Sequence, residues 1–161
     1  MKSDTNLKNH HYEAGVVWTG NRGEGTRHYR SYDRTWDVAA PGKPIVSCSN
    51  DPLLGGDSSK YNPEDLLLSA LSACHMLWYL HLAANAGLIV HSYVDRPVGI
   101  GEVTTGGAGR FIRAVLRPTI GLERGSDISI ADQFHSEIHK YCFIARSVVF
   151  PIGYEANYVS C

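Results

Sequence analysis

A chain of 161 residues with 43% hydrophobic and 19% charged residues is sized and composed for one globular domain. A formal net charge of -1 and a pI near 6.7 supply neither a basic field for nucleic acid nor a polybasic stretch for an anionic membrane. Four cysteines, Cys48, Cys74, Cys142 and Cys161, are too few for a secreted disulfide scaffold and form no C-x-x-C pair, so a cytoplasmic location is expected.

The opening residues MKSDTNLKNHHY are polar and lack the apolar core of a secretion signal, and no apolar run reads as long enough for a membrane span. Residues 1–10 read as a flexible tail and 11–161 as a single domain. The first strand is predicted over His11–Thr19 (HYEAGVVWT), ending at the turn signal Gly20-Asn21. Imperfect alternation over Arg27–Val38 predicts a second strand, and IVSCS after Gly42-Lys43-Pro44 a third. Asn50–Tyr61 (NDPLLGGDSSKY) reads as a loop of a length that often carries function.

The clearest element starts at Asn62, a favoured N-cap followed by Pro63 at the first helical position and by Glu64 and Asp65, which complement the helix dipole. It runs to Gly87, a natural C-terminal glycine, for about 36 Å. Leu66, Leu67, Leu68, Leu71, Met76, Leu77, Trp78, Leu80 and Leu82 leave no wide polar stripe, so burial all round is expected. A chain of this size cannot wrap such a helix alone, and an obligate homodimer is therefore predicted.

Two long strands are predicted next, Leu88–Thr104 and Arg110–Gly121, joined by a hairpin at Gly106-Gly107-Ala108-Gly109. Ser126-Asp127 caps a second predicted helix, Ile128 to about Tyr141, with an apolar face of Ile130, Phe134, Ile138 and Tyr141. A CFIARSV turn and a closing strand from Phe150 to Val159 complete an α+β order without internal repeats.

Cys74 lies mid-helix and Cys142 at the end of the second helix, and each taken singly reads as a small buried side chain. Two thiols can form a disulfide only where the fold brings their Cα atoms within about 4.4 to 6.8 Å, which spacing does not decide. The run NPEDLLLSALSACHMLWYL (residues 62–80) resembles the signature of the OsmC/Ohr family, an Asn-Pro-Glu followed by a helix that carries a reactive cysteine. HSEIHKYCFIARSV (135–148) is similar to the segment that holds that family's second cysteine. The likeness extends from Tyr12 to Pro151, through WTGNRGEGT, GKPIVSCSNDPLLGGD and GAGRFIRAVLRP, and is strongest toward an OsmC-like branch.

The resemblance implies an α+β fold of curved antiparallel sheets on a long central helix, intertwined as a homodimer. It also implies a cysteine-dependent peroxidase for organic hydroperoxides in oxidative stress defence. In that scheme Cys74 is peroxidatic and Cys142 resolving, an external dithiol serves as reductant, and no metal or organic cofactor is needed. The family's glutamate corresponds to Glu64 and its activating arginine to Arg34, with Arg22 in reserve. Glu64 lies about 15 Å along the helix from Cys74, so a bridging arginine, a helix bend or the partner's thiol is required. Arg146 departs from the family pattern, and Cys48 and Cys161 match no family position.

Two rival readings stand beside this one. His135, His139 and Cys142, with Cys74 or His75, have a spacing compatible with structural zinc but lack a paired motif. The other rival is a non-catalytic module of the same fold that binds an apolar ligand.

Overall fold

A computed structural model describes residues 8–161, and the chain divides into two compact units, Met1–Pro63 and Glu64–Cys161. Most of the tail expected over 1–10 lies outside the described residues; positions 8–10 carry no regular structure.

In the first unit, β1 (Gly15–Trp18), β2 (Trp36–Ala39) and β3 (Val46–Cys48) form one antiparallel sheet in that order, with Trp18 opposite Trp36 and Trp36 opposite Cys48. The strand expected over Arg27–Val38 is reduced to its last few residues. Upstream, polar side chains capture the backbone: the Asn21 amide oxygen accepts from the N–H of Gly23 and Gly25, and the Ser31 hydroxyl donates to the carbonyls of Gly25 and His28. Such local bonds compete with a strand ladder. The 50–61 segment is a loop as expected, with one 3-10 turn at Pro52–Leu54 capped by the Asp51 carboxylate.

The second unit holds α1 (Pro63–Asn85), β4 (Val90–Val94), β5 (Val98–Val103), β6 (Gly109–Leu116), β7 (Thr119–Leu122), α2 (Ile128–Ile138), β8 (Ile152–Tyr154) and β9 (Asn157–Ser160). Each of the two long strands predicted here is broken in two, at Asp95-Arg96-Pro97 and at Arg117-Pro118. Proline has no N–H to give to a ladder, so it ends a central strand. The halves sort into two sheets, β4-β7-β9 and β5-β6-β8, whose outer pairings β7/β9 and β6/β8 are parallel. The sheets are thus mixed rather than purely antiparallel. The hairpin at 106–109 joins β5 to β6, with Gly107 at a φ of 83° that other residues rarely adopt.

The helix α1 is not buried all round. Within the chain it buries one seam, Leu71, His75, Tyr79 and Ala83, each four residues from the last. The rest of its apolar surface is half-buried or open, and Leu77 is 63% exposed. By length and composition alone α1 also meets the measure of a membrane-crossing helix, contrary to the sequence expectation. Two of its polar groups, however, are bound by the chain's own elements: Ser72 donates to the Asp95 carboxylate at 2.5 Å, and His75 is bonded to a second imidazole.

Two apolar clusters hold the unit together. Tyr79, Ala83, Ile120, Leu122, Ala131, Ile138 and Cys142 form one; Leu71, Ala114 and Leu116 form the other. Full burial of a leucine or isoleucine contributes about 1.5–3 kcal/mol, so Leu71, Leu116, Ile120 and Ile138 are the main aliphatic anchors.

Candidate active site

The α1 seam from Leu71 to Ala83 spans about three turns, and Cys74 and His75 stand side by side near its N-terminal end. Cys74 is half-buried and packs against the first apolar cluster, of which Cys142 is a fully buried member. The Cys74 thiol lies close enough to the Cys142 thiol to act on its ionisation, and both are free. Cys142 lies just beyond α2, where its N–H donates to the Ile138 carbonyl at 2.9 Å. Its sulfur accepts from the Ala145 N–H at 3.4 Å, at the start of a 3-10 turn spanning Ala145–Ser147.

The two thiols are not equivalent. Burial, with the neighbouring Cys74 thiol as a further cause, pushes Cys142 up to about 11. At neutral pH roughly one part in ten thousand of such a group is thiolate, which makes it a poor first nucleophile. Cys74 is the more accessible of the two.

Beside the thiols, His75 and His135 meet ring to ring. His75 Nε2 lies 2.7 Å from His135 Nδ1, with the rings 8° from parallel, and both side chains are buried. One nitrogen donates and the other accepts, so the tautomer of one neutral ring sets that of the other. Burial drives both pKa values down, His75 to about 3, aided by the nearby His135 and His139, and His135 to about 4, where Asp132 and Asp95 oppose the shift. His135 is further enclosed by the rings of Tyr79 and Tyr154, with centroids at 4.9 and 4.7 Å. Among the described residues its Nε2 is buried without a hydrogen-bond partner.

The pairing also involves the side chains named for zinc. His135 Nδ1 is engaged by His75, the His75 and His139 centroids stand 6.5 Å apart, and among the described residues no three His, Cys, Asp or Glu side chains converge to hold a metal. The buried face of α2 also differs from the expected one. Ala131, His135 and Ile138 point inward, while Ile130 and Tyr141 are 43% and 47% exposed. A polar residue inside that seam was visible in the sequence only as a candidate ligand.

The other expected site residues are placed as follows. Glu64 is exposed in the first turn of α1, which continues as an unbroken helix to Cys74, about 15 Å further along. In the first unit, Arg34 is half-buried, its guanidinium 4.2 Å above the Tyr29 ring, against Gly55 and donating to the Tyr29 carbonyl at 3.3 Å. Arg22, in the same unit, is committed to the carbonyls of Arg30 and Ser31 and lies 3.7 Å from the Asp33 carboxylate. Arg146 is exposed, Cys48 is buried in β3, and Cys161 is exposed beside Gly121 and Ser92.

Residues 55–155 match the family of OsmC-like proteins. The chain belongs to the OsmC-like family. The OsmC-like match includes Glu64, Cys74 and Cys142 and begins after Arg34. Among curated proteins the chain is similar to the uncharacterized protein YmaD of Bacillus subtilis, 23% identical over 146 residues, which cover 88% of this chain and 89% of YmaD. Among solved structures it is similar to an OsmC-like protein of unknown function from Vibrio cholerae, at 28% identity and a TM-score of 0.82, covering 92% and 99% of the two chains. It also shares its fold with an organic hydroperoxide resistance protein from Elizabethkingia anophelis, at 17% identity and a TM-score of 0.67, covering 96% and 100%.

Proposed function

We propose that this chain is a thiol-dependent peroxidase that reduces organic hydroperoxides, acting in the cytoplasm in defence against oxidative stress. The observation that carries the reading is the contact between the Cys74 and Cys142 thiols on elements far apart in sequence. Membership of the OsmC-like family and the hydroperoxide-resistance name borne by a neighbour of the same fold support it.

The chemistry proceeds in three balanced steps. The Cys74 thiolate attacks the terminal oxygen of ROOH; the O–O bond breaks, the alkoxide takes a proton and leaves as ROH, and Cys74 becomes a sulfenic acid. The Cys142 sulfur then attacks the Cys74 sulfur and water departs, leaving the disulfide. An external dithiol restores both thiols by exchange, itself becoming a disulfide.

The raised pKa of Cys142 suits the resolving role, because a thiol that stays protonated does not compete for the peroxide. Arg34 is the proposed activating cation, its guanidinium held over Tyr29 and donating to the Tyr29 carbonyl, and Glu64 the proposed carboxylate that orients it. Since Glu64 is far from Cys74 on its own helix, it serves the thiol of a second subunit in a homodimer. The open apolar face of α1 is what that subunit would cover.

The test is turnover of cumene or tert-butyl hydroperoxide against hydrogen peroxide with a dithiol reductant. Cys74→Ser is expected to be inactive, and Cys142→Ser to accumulate a sulfenic acid without closing a disulfide. Full activity in Cys74→Ser overturns the reading. An apolar-ligand module of the same fold would instead turn over no hydroperoxide at all.

A further inference from the structure

Two contacts tie α1 to α2 and the turn that follows it, and they leave α1 from neighbouring positions. Cys74 reaches Cys142, and His75 reaches His135. The second contact is a buried hydrogen bond between two neutral imidazoles, with each ring 3% exposed or less. His135 keeps that bond although its other nitrogen has no partner, and a buried orphan of this kind is costly enough to call for an explanation. From His135 the link to the thiol is short: Ile138 is buried three residues further along α2, and its carbonyl accepts from the Cys142 N–H at 2.9 Å.

Resting on the reading of Cys74 and Cys142 as a redox pair, we propose that the His75–His135 hydrogen bond is a positioning contact that holds the Cys142 sulfur in register with Cys74 and so favours closure of their disulfide. Neither imidazole touches the reacting sulfur in this scheme. Without the bond, the buried His135 Nδ1 loses its partner, and α2 must shift to find another. Cys142 shifts with it, and the effective concentration of one thiol at the other falls.

Equilibration of the intact protein in glutathione buffers reads this without any peroxide. Two thiols and one oxidised glutathione give the Cys74–Cys142 disulfide and two reduced glutathiones, two electrons and two protons passing to glutathione. Mass spectrometry of the linked peptides counts the product. His75→Leu is expected to lower the equilibrium constant by about tenfold or more, equivalent to about 30 mV for a two-electron couple. His75→Gln, whose amide nitrogen can stand where Nε2 stood, is expected to stay within about threefold of wild type.

His135→Leu and His135→Asn repeat the comparison from the other helix should His75→Leu fail to fold. Equal constants for the leucine and amide variants, on either helix, overturn the positioning role alone. A wild type that never forms this disulfide overturns the redox-pair reading as well, so the two failures are distinct.

Discussion

The buried imidazole pair makes the protein acid-sensitive in a defined window. His75 and His135 are free to take protons at about pH 6.5 when unfolded but only near 3 and 4 when folded. Between those limits the unfolded chain binds more protons than the folded one, so stability falls as the pH drops below 6.5; above it the two states are equally neutral and the pair adds no pH dependence. Between pH 7.5 and pH 5 the linkage amounts to about 2 kcal/mol per imidazole, or about 4 kcal/mol for the pair. That is a large share of the 5–15 kcal/mol typical of a folded protein. Urea unfolding at pH 7.5, 6 and 5, at constant protein concentration, measures it. The double variant His75→Gln, His135→Asn keeps groups that can hydrogen-bond but cannot titrate, and is expected to lose about 4 kcal/mol less than wild type over that interval. The same pH dependence in both proteins would refute the neutral-pair reasoning.

Other perturbations test the scaffold. Asp95 accepts from the Ser72 hydroxyl at 2.5 Å and from the Arg117 N–H at 2.6 Å, so Asp95→Ala strands two donors and should cost about 2–3 kcal/mol in urea unfolding at pH 7.5. A Cβ on Gly99 would stand 2.4 Å from the Phe111 ring and 3.1 Å from Leu68, so Gly99→Val should destabilise by about 1–3 kcal/mol, read as a lower midpoint with unchanged slope. Leu77→Glu places a charge on the open face of α1; it should raise the dissociation constant of the proposed homodimer about tenfold or more in sedimentation equilibrium, while an unchanged constant would move the interface elsewhere.

Much of this fold is written in local signals. The Asn62-Pro63-Glu64 start and Gly87 bracket α1, Asp127 caps α2 with its carboxylate, and the glycine-rich turn joins β5 to β6, because capping and turn chemistry act within a few residues. Cys74 and Cys142 were legible as candidates through the motifs around them. Their contact was not, since a pair so far apart in sequence meets only when α1 and α2 pack. The prolines that split the long strands were in plain view, yet the sorting of the halves into two mixed sheets depends on which partners they find.

Sequence by itself therefore determined the two helices, the α+β order and the reactive residue types. The tertiary structure decided which face of each helix is buried. Periodicity marked Ile130 and Tyr141 as inward and α1 as apolar on every side; packing instead buried one seam of α1 and turned His135 inward against His75. A hydrogen bond between two imidazoles can offset the loss of water only once both are enclosed together, and no local pattern encodes that enclosure.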